Sequence, residues 1–213
     1  MKALAVGACV LALAAVASNA SAAFESSVGR LPPDVRERVN GSSWHPGCPV
    51  PLRKLRLVRV SIHKFDGSKR QARLIVHRTQ AHKIVRVFHK LWRVDYPVRR
   101  MRLIDAYGAD DDRSMNADNT SAFNCRYVAG TTKWSMHAYG KAIDLNPVEN
   151  PYVSGSHVSP KKGTKYAYDR CCHRAIIDAG DKVVRAFASV GWEWGGSWSG
   201  GTRDYQHFST NGS

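Results

Sequence analysis

His137, Asp144 and His207 are residue types that together can hold a single divalent metal ion. Three protein ligands leave a fourth coordination position for water, which is what a hydrolytic site needs. Spacing alone does not decide the matter. His137 and Asp144 stand seven residues apart, and in a regular strand an odd offset sends two side chains to opposite faces. A shared site therefore requires a bend between them, and Gly140 is where the chain offers one. Taken singly, each histidine reads more readily as a hydrogen-bonded core or surface residue. Other hydrolytic arrangements fit less well. The stretch Gly195-Gly196-Ser197-Trp198-Ser199-Gly200-Gly201 does not form Gly-x-Ser-x-Gly, and the chain has no His-Glu-x-x-His.

The elements that must position these residues are legible from periodicity. Val58, Val60 and Ile62 alternate with Arg59, Ser61 and His63, Asp66-Gly67 supplies a turn, and Ala72, Leu74 and Val76 resume the alternation. This pattern predicts a β-hairpin. Ala81, Ile84, Val85, Phe88, Leu91 and Trp92 then recur at helical spacing up to Tyr96-Pro97, which predicts an amphipathic helix. On this reading His63, His77, His82 and His89 sit on polar faces. A strand is expected over 101–106, a polar loop over 108–119, and a second helix over 181–190, capped by Asp181 and ended by Gly191. Strands mixed with helices, without regular βαβ alternation, argue for a single α+β domain with a small antiparallel sheet packed on helices.

Lys2, the apolar run Ala3 to Ala17 and the small residues Ser18 to Ala23 read as a secretory signal peptide over 1–22. The run falls short of the ~20 residues that span a bilayer, so no transmembrane segment is expected. Val6-Gly7-Ala8-Cys9 resembles a lipoprotein box only loosely, because the apolar run continues past Cys9. Residues 23–46, with Pro32-Pro33 and Asn40-Gly41-Ser42-Ser43, read as an irregular leader, and 47–213 as the domain. The formal net charge is +15. In an exported protein, charge dispersed among apolar residues fits attraction to anionic envelope polymers, or equally an ordinary solvated surface, better than nucleic acid. Cys48, Cys125, Cys171 and Cys172 form an even set, which suggests two disulfides with three possible connectivities. A bond between adjacent cysteines is strained, so Cys171 and Cys172 are each expected to pair with Cys48 or Cys125. A metal site at Cys171-Cys172-His173 is the less favoured alternative.

Ser135-x-His137-x-x-Gly140-x-Ala142-x-Asp144, followed by Asp204-x-x-His207, resembles the M15 peptidase family. That family includes D-alanyl-D-alanine carboxypeptidases and dipeptidases, and L-alanyl-D-glutamate endopeptidases of the endolysin type. The resemblance spans roughly 101–208 and holds both metal motifs in order. It implies a DD-peptidase-like fold, shared with the signalling domain of hedgehog proteins, and one zinc ion bound by His137, Asp144 and His207. It also implies that Asp204 is the catalytic base and that Arg126 contacts the substrate carbonyl. Peptidoglycan stem peptides are the implied substrate, met outside the cytoplasm by a monomer. The carboxypeptidase and dipeptidase branches commonly carry glutamate where this chain has Asp204. Asp-x-x-His resembles the endopeptidase branch, which implies an internal L-Ala-D-Glu bond over a terminal D-Ala.

A base beside zinc needs burial to stay basic, and Trp194, Tyr205 and Phe208 are candidates to supply it. Trp194 and Tyr205 could also line the substrate side, whereas Phe208 reads as core. Asp118 is placed either to meet a substrate ammonium or to cap a turn, and Ser135 either to orient a ligand or to begin a strand. A non-catalytic zinc module would keep the triad and lose the base, but both Asp204 and Arg126 are present. Nucleic-acid binding rests on charge alone and is not expected.

Overall fold

The alternating valines and leucines between Leu55 and His77 build the central hairpin of the computed structural model, which describes residues 23–212. The segment expected to be a signal peptide, 1–22, lies outside the described residues. Strand β1 (Ser26–Gly29) and helix α1 (Pro33–Val39) precede the hairpin, formed by β2 (Leu55–His63) and β3 (Lys69–His77). β1 pairs antiparallel with β2, Ser26 opposite Val60, and β2 with β3, Val58 opposite Leu74. Asp66 closes the hairpin turn by accepting from the Ser68 amide at 2.9 Å.

This sheet is buried on both faces. On one face Val58, Val60, Leu74 and Val76 pack against Ile84, Val87, Phe88 and Leu91 of helix α2 (Ala81–Arg93). On the other, Leu55, Leu57 and Ile75 pack against Leu31, Val35 and Val39. The segment 23–46 is therefore not an irregular leader: it supplies an edge strand and a covering helix. Its Leu31, Val35 and Val39 follow helical i, i+4, i+8 spacing, with Pro33 in the first turn where a missing amide is tolerated.

Downstream elements are shorter. The two-residue strands β4 (Arg100–Met101) and β5 (Asn119–Thr120) pair in parallel. Between them the strand expected over 101–106 gives way to a 3-10 turn, Ile104–Tyr107, and the expected loop contains helix α3 (Asp111–Asn116). Asp110 explains that helix, its carboxylate accepting from the Arg113 amide at 2.9 Å. Strand β6 (Ala142–Asp144) is followed by the hairpin β7 (Tyr152–Ser154) and β8 (His157–Ser159). Helices α4 (Thr164–Tyr168) and α5 (Lys182–Ala188) come next. Asp181 caps α5 as expected, accepting from the Val184 amide at 2.8 Å.

Strands β9 (Glu193–Trp194), β10 (Thr202–Asp204) and β11 (His207–Ser209) complete two further antiparallel sheets, ordered β6-β11-β9 and β10-β7-β8. Phe187 of α5 stacks on Phe208 at 3.9 Å, joining these sheets to the core beneath α2. The result is a single α+β domain. Among the described residues no helix is long and apolar enough to cross a membrane.

Two expectations need correction. The disulfides join Cys48 to Cys125 and Cys171 to Cys172. The Cys125 amide donates to Ser43 O at 2.9 Å, which lays the 43–48 segment alongside Cys125 and brings the Cα atoms of Cys48 and Cys125 within 5.9 Å. Cys172 takes a left-handed φ of 68°, and the adjacent pair turns on itself. His63, expected on a polar face, is buried with its ring 4.0 Å from Trp92 and its Nε2 3.2 Å from Asp95.

Candidate metal centre and active-site cleft

His137 sits on a 3-10 turn, Met136–Tyr139, whose start is capped by the Ser135 hydroxyl accepting from the His137 amide at 3.3 Å. Gly140 ends the turn with a left-handed φ of 64°, and the chain leaves directly into β6. This is the bend that the seven-residue spacing demanded. It has a second cause in packing, since a Cβ at Gly140 would lie 2.6 Å from the His77 backbone nitrogen and 3.1 Å from the Val76 carbonyl carbon. Gly140→Ala is expected to cost about 3 kcal/mol, combining left-handed strain with a backbone clash, and to lower the urea midpoint accordingly.

Asp144 ends β6 and faces His207 directly across the β6–β11 ladder. The three side chains converge, with one ligand atom from each lying within 4.8 Å of the others, and all three are buried. His137 donates Nδ1–H to the Ala122 carbonyl at 2.5 Å, which fixes its tautomer and leaves a lone pair on Nε2. That Nε2 faces Asp144 Oδ2 at 3.1 Å and His207 Nδ1 at 3.3 Å, while His207 Nδ1 lies 2.9 Å from Asp144 Oδ1. Lone pairs and a carboxylate converging on one point suit a cation between them. Burial alone would raise Asp144, but the neighbouring His137 and His207 hold its carboxyl well below the usual range. The donor set, two imidazole nitrogens and one carboxylate, fits zinc.

Asp204 arrives from the other sheet. It pairs with Tyr152 across β10–β7, and the Tyr205-Gln206 turn carries the chain on to His207. Burial pushes the Asp204 carboxyl up to about 6, with His207 opposing and Asp144 adding to the rise. Gly195 packs closely against it, since a Cβ there would lie 2.7 Å from Asp204 O and 3.0 Å from its Cβ. Among the described residues, Asp204 Oδ1 and Gln206 Oε1 are buried without a hydrogen-bond partner. Both residues line the same cleft as the triad. Buried acceptors left open at a cleft mark a place where a ligand or water completes the bonding.

The cleft encloses about 1370 Å³ and is also lined by Arg126, Tyr127, Trp134, Ser135, Tyr152 and Trp198. Arg126 forms an ion pair through Nε with Asp111, which also accepts from Asn124 Nδ2 at 2.9 Å. The α3 helix thus orients Arg126. Asp111 was missed because an acidic stretch read from sequence looks like a solvated loop.

Three proposed substrate contacts are committed elsewhere and do not line this cleft. Asp118 caps the turn after β6, accepting from the Val148 amide at 3.0 Å and pairing with Arg99 at 3.3 Å. Arg99 also pairs with Glu149, whose carboxyl burial pushes up to about 7, with Asp118 adding to the rise. Trp194 is buried, its indole donating to Tyr205 O at 2.8 Å. The Tyr205 ring takes the Arg170 guanidinium at 3.7 Å. Ser135 lines the cleft, but its hydroxyl serves the turn that carries His137.

No curated protein and no solved structure matches the chain. A family model described as D-alanyl-D-alanine carboxypeptidase, of the M15 peptidases, matches residues 129–210. The matched segment holds His137, Asp144, Asp204 and His207, while Arg126 lies just before it. Over residues 129–210 the chain is similar to the M15 peptidase family, and the triad assembled in one buried site lies within that matched segment.

Proposed function

We propose that the protein is an exported, zinc-dependent endopeptidase that hydrolyses an internal peptide bond of peptidoglycan, of the L-Ala-D-Glu type. The observation that carries this reading is Asp204, half-buried with a buried and unsatisfied Oδ1, lining the same cleft as a buried His-Asp-His triad. A zinc ion at the triad supplies a Lewis acid and lowers the pKa of a coordinated water toward ~7. Asp204 then acts as general base, taking a proton from the attacking water and returning it to the leaving amine. Its raised basicity suits both transfers. Arg126, held at the cleft wall by Asp111, presents positive charge to the oxygen of the scissile carbonyl as negative charge develops there.

The size of the cleft supports an internal bond, since about 1370 Å³ exceeds the roughly 300–1,000 Å³ of ordinary small-ligand pockets. The description of the matching family model favours a second reading, release of a terminal D-Ala. Mass spectrometry of muropeptides after digestion separates the two: new L-Ala carboxyl and D-Glu amino termini are expected, and released D-alanine would establish the second reading.

Export is supported by the N-terminal apolar run and by two disulfides. A basic cluster fits an anionic envelope polymer. Burial pushes His77 below its ordinary value, and Lys141, Arg78, Lys54 and Arg56 push it further down. Lys141 also lines the cleft, which connects that positive surface to the site.

A further inference from the structure

Immediately after Arg126 the chain forms a small hairpin that rises at the cleft edge. Tyr127 and Trp134 pair across it, and the Val128 amide donates to Lys133 O at 2.8 Å. Their rings stack with centroids 4.0 Å apart and planes 25° from parallel. Trp134 is partly buried against the Leu31–Val39 core, whereas Tyr127 is 47% exposed and Val128 44% exposed. These are two of the four large hydrophobic residues exposed among those described.

The hairpin is firmly rooted. Cys125 at its base is bonded to Cys48, and the Ser135 amide donates to Arg126 O at 3.1 Å. An aromatic face held out to water on a fixed support, beside a catalytic cleft, is a binding element more often than a packing residue. Both rings line the same cleft as the metal triad.

We propose that the Tyr127–Trp134 stack is a saccharide subsite that receives an N-acetylated hexose ring of the glycan strand while the attached stem peptide lies across the triad. This rests on the peptidoglycan reading above. The exposed aromatic face matches the C–H face of a pyranose, and the flanking Lys133 offers donors to its hydroxyl and acetamido oxygens. A stem peptide, polar and acidic, has less use for an uncharged aromatic plane. Because glycan and peptide are covalently joined in this substrate, ring binding at the rim would present the peptide in register with the triad.

The test uses the zinc-loaded full chain and two substrates with the same stem peptide, one carrying its N-acetylated disaccharide and one without. Tyr127→Ala is expected to raise KM for the disaccharide-peptide about tenfold and to leave kcat unchanged, as loss of one aromatic contact implies. Hydrolysis of the free peptide should stay within about twofold, and Tyr127→Phe, which keeps the ring, should restore the KM. Equal losses on both substrates, or no loss on either, overturn the subsite.

If the wild-type chain cleaves neither substrate, the peptidase reading fails and binding alone decides the subsite. Saturation-transfer NMR with a peptide-free N-acetylated glycan oligomer should then show ring contacts that Tyr127→Ala removes. Absence of those contacts in the wild type, their survival in Tyr127→Ala, or Tyr127-dependent binding to phosphatidylglycerol vesicles in their place overturns the proposal.

Discussion

His137→Ala is expected to yield a folded chain that holds no zinc and hydrolyses no peptidoglycan. The imidazole is buried, its Nδ1 is fixed by the Ala122 carbonyl, and its Nε2 is aimed at the other two ligand side chains. Two remaining ligands, His207 and Asp144, make a poor zinc site. The fold should survive because the turn carrying His137 is held by its Ser135 cap and by Gly140. Metal analysis of the purified chain should fall from one ion to none, with circular dichroism unchanged. A variant that keeps its zinc in full would show that the ion, if any, lies elsewhere.

Asp204→Asn is expected to separate chemistry from metal binding. The change is isosteric, and Asp204 is not one of the three residues whose ligand atoms converge, so zinc should stay bound. Hydrolysis should fall by about 10²–10⁴, the contribution of a positioned general base. The pH profile carries the same assignment. Burial raises the free carboxyl to about 6, so it is protonated and inactive as a base below that value and ionised above it. Activity should therefore rise with pH on the acid side. A bound dication favours the ionised form and moves that limb below about 6. Loss of the acid limb in Asp204→Asn, measured as residual kcat/KM against pH, would tie it to this group; an unchanged limb would assign it to another.

What could be read from sequence divides along the line between local and long-range order. The β2–β3 hairpin and helices α2 and α5 announced themselves because their apolar periods are set by neighbours in the chain. The bend at Gly140 was legible too, as a geometric demand of two ligands at an odd offset. Helix α1 was hidden by the turn-like Pro32-Pro33 and Asn40-Gly41 that flank it, although its apolar spacing was present. The disulfide pattern depended on which distant segments meet, and here a single backbone bond from Cys125 to Ser43 decided it. At the site, the ligand types were visible and their partners were not. Asp111 and the Tyr127–Trp134 pair lie at the cleft, and Gly195 lies close to Asp204, through contacts that the residue types alone do not announce. Asp118, Trp194 and Tyr205 look chemical by residue type yet serve the framework.

The cross-strand pairing of His207 with Asp144 also makes the triad depend on one strand register. A nascent or extended chain has its ligands scattered, and the last of them reaches the others only when β11 seats between β6 and β9. A one-residue slip of that strand would turn His207 to the opposite face. The triad therefore exists only with β11 paired in this register, so the site belongs to the tertiary fold and to no single segment of the chain.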